Sequence, residues 1–199
     1  KVHLLEVDSD PVVIGDDSID VFGSGISGTL GGGVLATSVS DDNDGIITAE
    51  TISSAGEYFE WTWSVGDANV GLFSENDNNV STVQNDTSVW SNGDYIFYGA
   101  RQEHNGVIAG YYSENGLAKT VTGGQSGAYY GRVGFDLQGR PFVAQSSDGV
   151  IWQTYHHGNA AAPSGDYKFI WVAQNNGCDI TSFSKGQLTA APTMYFRYI

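Results

Sequence analysis

The chain has 199 residues, of which 40% are hydrophobic, enough for one domain with a sizeable core. Lys and Arg number 8 against 23 Asp and Glu, a net charge of −15. That deficit of cations excludes nonspecific DNA or RNA binding, which depends on displacing counterions from phosphates, and an anionic membrane surface would repel the chain.

Gly contributes 27 residues, and Val (18) and Thr (13) outnumber Leu (8). This mixture disfavours helix and favours short strands joined by tight turns. No apolar run reaches membrane-spanning length, so membrane insertion is not expected. The single cysteine, Cys178, excludes an intramolecular disulfide and reads as a small buried or semi-buried thiol.

Residues 1–20 read as an acidic N-terminal arm with one short strand, and residues 21–199 as one β-sandwich domain. The chain begins at Lys1 rather than Met, which reads as an excised piece of a longer protein. FGSGISGTLGGG (22–33) reads as a glycine loop. Its Gly23, Gly25 and Gly28 spell a dinucleotide-type G-x-G-x-x-G, but TLGGG cannot open the helix that such a site requires. Strands follow at 33–39, 46–52, 57–65, 69–74, 95–101, 107–113, 117–122, 129–137, 140–145, 150–155, 167–174 and 193–199. Asn-Gly and Asp-Gly pairs at 105–106, 115–116 and 148–149 supply the positive φ that hairpins need. In 57–65, Phe59, Trp61, Trp63 and Val65 fall on one face; in 131–137, Val133, Phe135 and Leu137 do the same. One solvated face per sheet marks antiparallel sheets. The expected fold is an all-β antiparallel sandwich of jelly-roll type with little or no helix.

The chemistry-bearing motifs are few. SDDNDG (40–45) fails as an EF-hand loop, because Ser40 and Thr51 stand at its first and twelfth positions. Asp42 and Asp44 remain candidate ligands of a looser structural calcium site, the one cofactor considered. No G-x-S-x-G elbow occurs, and Cys178 has no neighbouring base in sequence. Glu57 and Glu60 are three apart on one strand and project to opposite faces, so they do not form an acid pair over one substrate. Adjacent tyrosines also point to opposite faces, so one of Tyr111 and Tyr112, and one of Tyr129 and Tyr130, should meet solvent or a partner. Exposed tyrosine rings stack on sugar CH faces, and neighbouring amides and carboxylates bond hydroxyls. Tyr155, His156 and His157 form a further candidate group, joined by Arg101, Glu103 and Asn105 from the loop after the strand at 95–101. Arg101 has the fork geometry to clamp a sugar carboxylate.

GEYFEWTWSV (56–65) followed by NVGLFSEN (69–76) resembles the paired strands of SPRY domains. RVGFDLQGRPFVAQSSDGVIW (132–152) is similar to that family's later signature, with Asp148-Gly149 where the family usually has Asn-Gly. YKFIWVAQNNG (167–177) stands where the family has its closing aromatic strand. The resemblance implies a concanavalin-like sandwich that works as a recognition module, not an enzyme, with its binding surface on loops at one edge. The composition is also similar to the tips of phage tail fibres and surface adhesins. The expected function is therefore recognition of a cell-surface carbohydrate or receptor, at a virion surface or outside the cell, with a homotrimer as the candidate assembly. The alternatives are a protein-binding or structural virion domain and a polysaccharide-degrading jelly-roll enzyme.

Overall fold

The aromatic run beginning at Glu57 lies at the centre of the architecture. In a computed structural model, the described residues are 7–8, 12–13, 19–22, 26–27, 35–37, 45–74, 97–103, 106–114, 117–121, 126–127, 129–162, 164–173 and 177–189. Among them the strands are β1 (Val7–Asp8), β2 (Val12–Val13), β3 (Ile19–Phe22), β4 (Ile26–Ser27), β5 (Leu35–Thr37), β6 (Gly45–Ile52), β7 (Glu57–Thr62), β8 (Ala68–Ser74) and β9 (Phe97–Glu103). They continue with β10 (Val107–Glu114), β11 (Leu117–Val121), β12 (Tyr130–Phe135), β13 (Pro141–Ser146), β14 (Gln153–His157), β15 (Tyr167–Ala173), β16 (Asp179–Ile180) and β17 (Ser182–Thr189). No helix occurs among the described residues, and so none long and apolar enough to cross a membrane.

The first sheet runs β1-β17-β7-β12-β13-β14, with β2 also paired to β17. The second runs β11-β10-β9-β8-β15-β6-β3, and a small third sheet runs β16-β5-β4. Every pairing is antiparallel. The two large sheets pack face to face through Phe59, Trp61 and Phe183 of the first and Phe169 of the second. The Phe169 centroid lies 5.8 Å from Phe59, 5.6 Å from Trp61 and 4.5 Å from Phe183. Val70, Leu72, Val133, Phe135 and Trp171 complete this buried cluster. Cys178 is buried in it, with its thiol donating to the Asp67 carbonyl at 2.8 Å.

Several expectations need correction. Val65 is 48% exposed, because β7 ends at Thr62 and the chain turns before Val65 reaches the core face. A solvated outer face is also not general. β8 and β13 are buried at every position, and Tyr58 is fully buried on the face opposite Phe59. Residues 147–151 form a bend, and the strand starts only at Gln153. The strand expected at 193–199 lies outside the described residues. β17, which sequence alternation does not reveal, pairs with β7 along its length from Ser182 to Gln187. Within residues 1–20, β1 and β2 pair with β17; β3 (Ile19–Phe22) pairs with β6. Ile26–Ser27, inside the glycine-rich stretch, pairs with β5.

Glu57 ties the β6–β7 turn to β17. It accepts from the Ser53 and Ser54 amides, both at 2.8 Å, and lies 3.1 Å from Lys185 Nζ. Burial pushes its carboxyl up, but the two amides and Lys185 together outweigh burial and hold it below its ordinary value. A carboxylate with a depressed folded pKa stabilises the fold above its unfolded pKa, and that contribution is lost as pH falls through the folded value. Glu57→Gln should cost about 1–2 kcal/mol at neutral pH. Urea titrations of both proteins should show the gap narrowing as pH falls below 4.5. A second outcome concerns packing: a Cβ on Gly131 would stand 2.3 Å from Trp61 Cζ2 inside the core. Gly131→Ala should lower stability by about 1–3 kcal/mol, seen as a lower urea midpoint with an unchanged slope.

Candidate functional site

The outer face of the first sheet carries a second, smaller cluster built from Tyr58, Phe142, Ala144 and Leu188, with Leu137 and Trp152 packed against it. The register explains it. Tyr58 lies between Gly134 and Gly186, and Phe142 lies beside Gly134, so the aromatic side chains share one row with the glycines that leave them room. In the next row Glu60 lies beside Arg132, and Arg132 beside Ala144. Arg132 is 5% exposed. Its Nε donates to Glu60 Oε2 at 2.9 Å, and its guanidinium carbon sits 4.3 Å from the Tyr58 ring centroid and 3.8 Å from that of Trp152. A guanidinium over aromatic faces gains from the ring quadrupoles while its neighbours keep water away.

Beside this stack opens a pocket of about 110 Å³. Phe142, Ala144 and Leu188 form its apolar floor; Trp152 and Arg132 form one wall; Asp136, Thr154 and His157 supply polar groups. Thr154 and His157 are three residues apart, a spacing that puts side chains on opposite faces of a regular strand. Here His156 pairs with Val143 while Thr154 pairs with Ala144, so Tyr155 is the extra residue of a β-bulge. The bulge brings Thr154 and His157 onto one face.

Both sides of the pocket are fixed by hydrogen bonds. Asp136 Oδ1 accepts from the Gln138 and Arg140 amides, each at 2.9 Å, and Oδ2 meets Arg140 Nε at 2.7 Å. On the other side, Asp148 Oδ1 accepts from the Val150 amide at 2.8 Å and the Ile151 amide at 2.9 Å. Ser146 Oγ donates to the same carboxylate and accepts from the Gly149 amide, both at 2.9 Å. The Ile151 and Val150 amides, and then Ser146, hold the Asp148 carboxyl below its ordinary value. Gly149 takes φ +72° at the tip, where a side chain would be strained. Trp152 Nε1 donates to its carbonyl at 3.2 Å. The loop thus presents Val150 and Ile151, 79% and 77% exposed.

The sequence-predicted residues distribute over both sheets. His157 lines the pocket; His156 and Tyr155 belong to the same strand, β14. Tyr130, half-buried on β12, packs its ring beside Gly149. Tyr129 meets Trp63 edge-on at 5.9 Å and lies against Gly106. Gln145 donates to the Gly106 carbonyl at 2.6 Å, which ties the β9–β10 turn to β13. Arg101 and Glu103 lie on β9, and Tyr111 and Tyr112 on β10, where the pairing with β9 is irregular between Ala109 and Ser113. Asn105, Asp42 and Asp44 lie outside the described residues. No group of three metal-ligating side chains occurs among the described residues. Arg132, Asp136 and Trp152 lie inside the signature-like stretch 132–152, but alternation alone gives them no functional mark: a strand Arg or Asp normally reads as solvated and a strand Trp as core.

No family model matches the chain, and no curated protein matches it in sequence. Solved structures do match. The PSpry domain of TRIM65 superposes with a TM-score of 0.58 at 12% identity, over 83% of this chain and 90% of that one. Stonustoxin gives 0.57 at 12% identity over 83% of this chain, which spans only 26% of that protein. The lectin from Bauhinia forficata, in complex with GalNAc, gives 0.56 at 13% identity over 92% of this chain and 100% of that one. The fold is the concanavalin-like jelly roll of SPRY domains and lectins. The fold that the resemblance implies is therefore matched in three dimensions.

Breaking the Arg132–Glu60 pair should be costly, because Glu60 would keep its charge in a largely buried site. Arg132→Met should lose about 3 kcal/mol. Adding Glu60→Gln should restore most of the loss, as read from a double-mutant cycle of urea midpoints.

Proposed function

We propose that this chain is a non-enzymatic recognition domain that binds a cell-surface carbohydrate on the outer face of its first sheet. The observation that carries the reading is the pocket beside Trp152, where a hydroxyl and an imidazole stand over an apolar floor. Sugars offer the matching chemistry: CH groups pack on apolar and aromatic surface, and hydroxyls bond polar side chains. The Bauhinia lectin supports the reading at the level of fold only, since one architecture hosts many ligands. The acidic composition, with 27 Gly and 11 Tyr but 8 Lys+Arg and one Cys, supports a place outside the cell, at the tip of a viral tail fibre or adhesin. A protein receptor is the second reading, favoured by Val150 and Ile151, because exposed aliphatic groups on a rigid loop suit a protein interface.

The test is binding of the labelled chain to a panel of glycans and bacterial surface polysaccharides, with and without chelator. The expected result is a saturable hit that weakens about tenfold in His157→Ala while the melting temperature holds. Loss of the hit under chelator would assign a calcium role to the segment around Asp42 and Asp44. Silence across a panel that a control lectin reads would overturn the carbohydrate reading in favour of the protein receptor.

A further inference from the structure

Resting on the carbohydrate reading, we infer that the pocket selects a neutral sugar through an apolar substituent, either the methyl of an acetamido group or that of a 6-deoxy sugar. The first argument is charge. Each ion lining the pocket already has a counter-ion from its own fold: Arg132 meets Glu60 at 2.9 Å, and Asp136 meets Arg140 at 2.7 Å. Among the described residues the walls therefore hold no surplus arginine or lysine for a sugar carboxylate. His157 Nε2 is 3.9 Å from Asp136 Oδ2, too long for a hydrogen bond, which leaves that nitrogen able to bond a ligand group.

The second argument is the floor. Phe142, Ala144 and Leu188 offer no polar atom from their side chains, so a hydroxyl placed there would lose its water without replacement. A methyl group there would gain dispersion contact and leave water. The third argument is size. A volume of about 110 Å³ is well below the roughly 300 Å³ at which pockets for drug-sized ligands begin. It accepts a substituent, while the sugar ring rests at the mouth against Thr154 and His157. Ala144 sets the depth, because it is the smallest side chain of the floor and lies beside both Arg132 and Thr154 in the register.

The experiment is calorimetric titration of the intact chain with N-acetylglucosamine, N-acetylgalactosamine, fucose and rhamnose. Glucose, galactose and glucuronic acid serve as comparison sugars. The acetamido or the 6-deoxy sugars should bind at least about tenfold tighter than glucose and galactose, the range expected for one methyl group in an apolar pocket. Which of the two sets wins identifies the substituent. Glucuronic acid should bind no better than glucose. Ala144→Leu, which fills the floor, should weaken the preferred sugars at least about tenfold, down to the level of glucose and galactose. Should that variant fail to fold, Thr154→Val at the exposed rim replaces it, and should weaken all sugars by a similar factor without changing their order. Equal binding of substituted and parent sugars, or a preference for glucuronic acid, would overturn the inference and leave the carbohydrate reading intact. No binding by any sugar here and no hit on the glycan panel would remove the carbohydrate reading itself.

Discussion

Strand β7 carries large aromatic side chains on both of its faces, and beside Trp61 and Tyr58 the neighbouring strands make room with glycine. Trp61 lies opposite Gly131, and Tyr58 lies between Gly134 and Gly186. A Cβ at any of these three glycines would approach within 2.3 to 2.4 Å of its neighbours. A one-residue slip of β12 against β7 would put Arg132 or Tyr130 beside the Trp61 ring, and would exchange the two faces of β12. Steric exclusion therefore sets the register of β17, β7 and β12 together. The stack of Phe59, Phe169 and Phe183 between the sheets depends on that register, and so does the place of Arg132 beside Tyr58.

The outer-face pocket is a consequence of the same register, modified once. Regular pairing of β13 with β14 would have separated Thr154 from His157; the bulge at Tyr155 unites them on one side. Arg132 is held by contacts on its own sheet and by Trp152, which is in turn tied to the Asp148 loop. The pocket wall therefore requires no ligand to order it. A site ordered in advance loses less conformational freedom on binding, so a small contact area can still give selective binding.

The fold class was legible because it rests on signals that survive in a single sequence: alternation in 57–63 and 131–135, turn dipeptides at Gly106 and Gly149, and almost no helix-favouring stretch. Gly106 and Gly149 do take positive φ in the structure. β17 was not legible, since SFSKGQLT alternates its buried residues with Ser, Lys and Gln and places a glycine where the Tyr58 ring needs room. The pocket was legible only at His157. Arg132 depends on Glu60, distant in sequence, and Thr154 on a bulge that periodicity does not announce, while Asp136, held by Gln138 and Arg140 close by, reads in sequence as an ordinary carboxylate at a strand end. Adjacent strand residues face opposite ways, and Tyr129 and Tyr130 accordingly meet different neighbours: one meets Trp63, the other lies beside the Gly149 loop.

Net charge and local charge act at different ranges, and here they point the same way. A chain at −15 repels an acidic polysaccharide, but at physiological salt the repulsion fades over about 8 Å. Rejection at long range is therefore weak, and discrimination has to come from contact. At contact, many anion-binding sites offset an acidic surface with an uncommitted arginine. In the outer-face pocket the arginine is committed to Glu60 and to two aromatic rings, and the second cation nearby, Arg140, is committed to Asp136. Moving either toward a ligand would leave a largely buried carboxylate without its counter-ion, a larger loss than one exposed ion pair would return. The arrangement that stabilises the sheet thus also commits both arginines, and on the proposed carbohydrate reading it leaves shape and apolar contact to decide what binds.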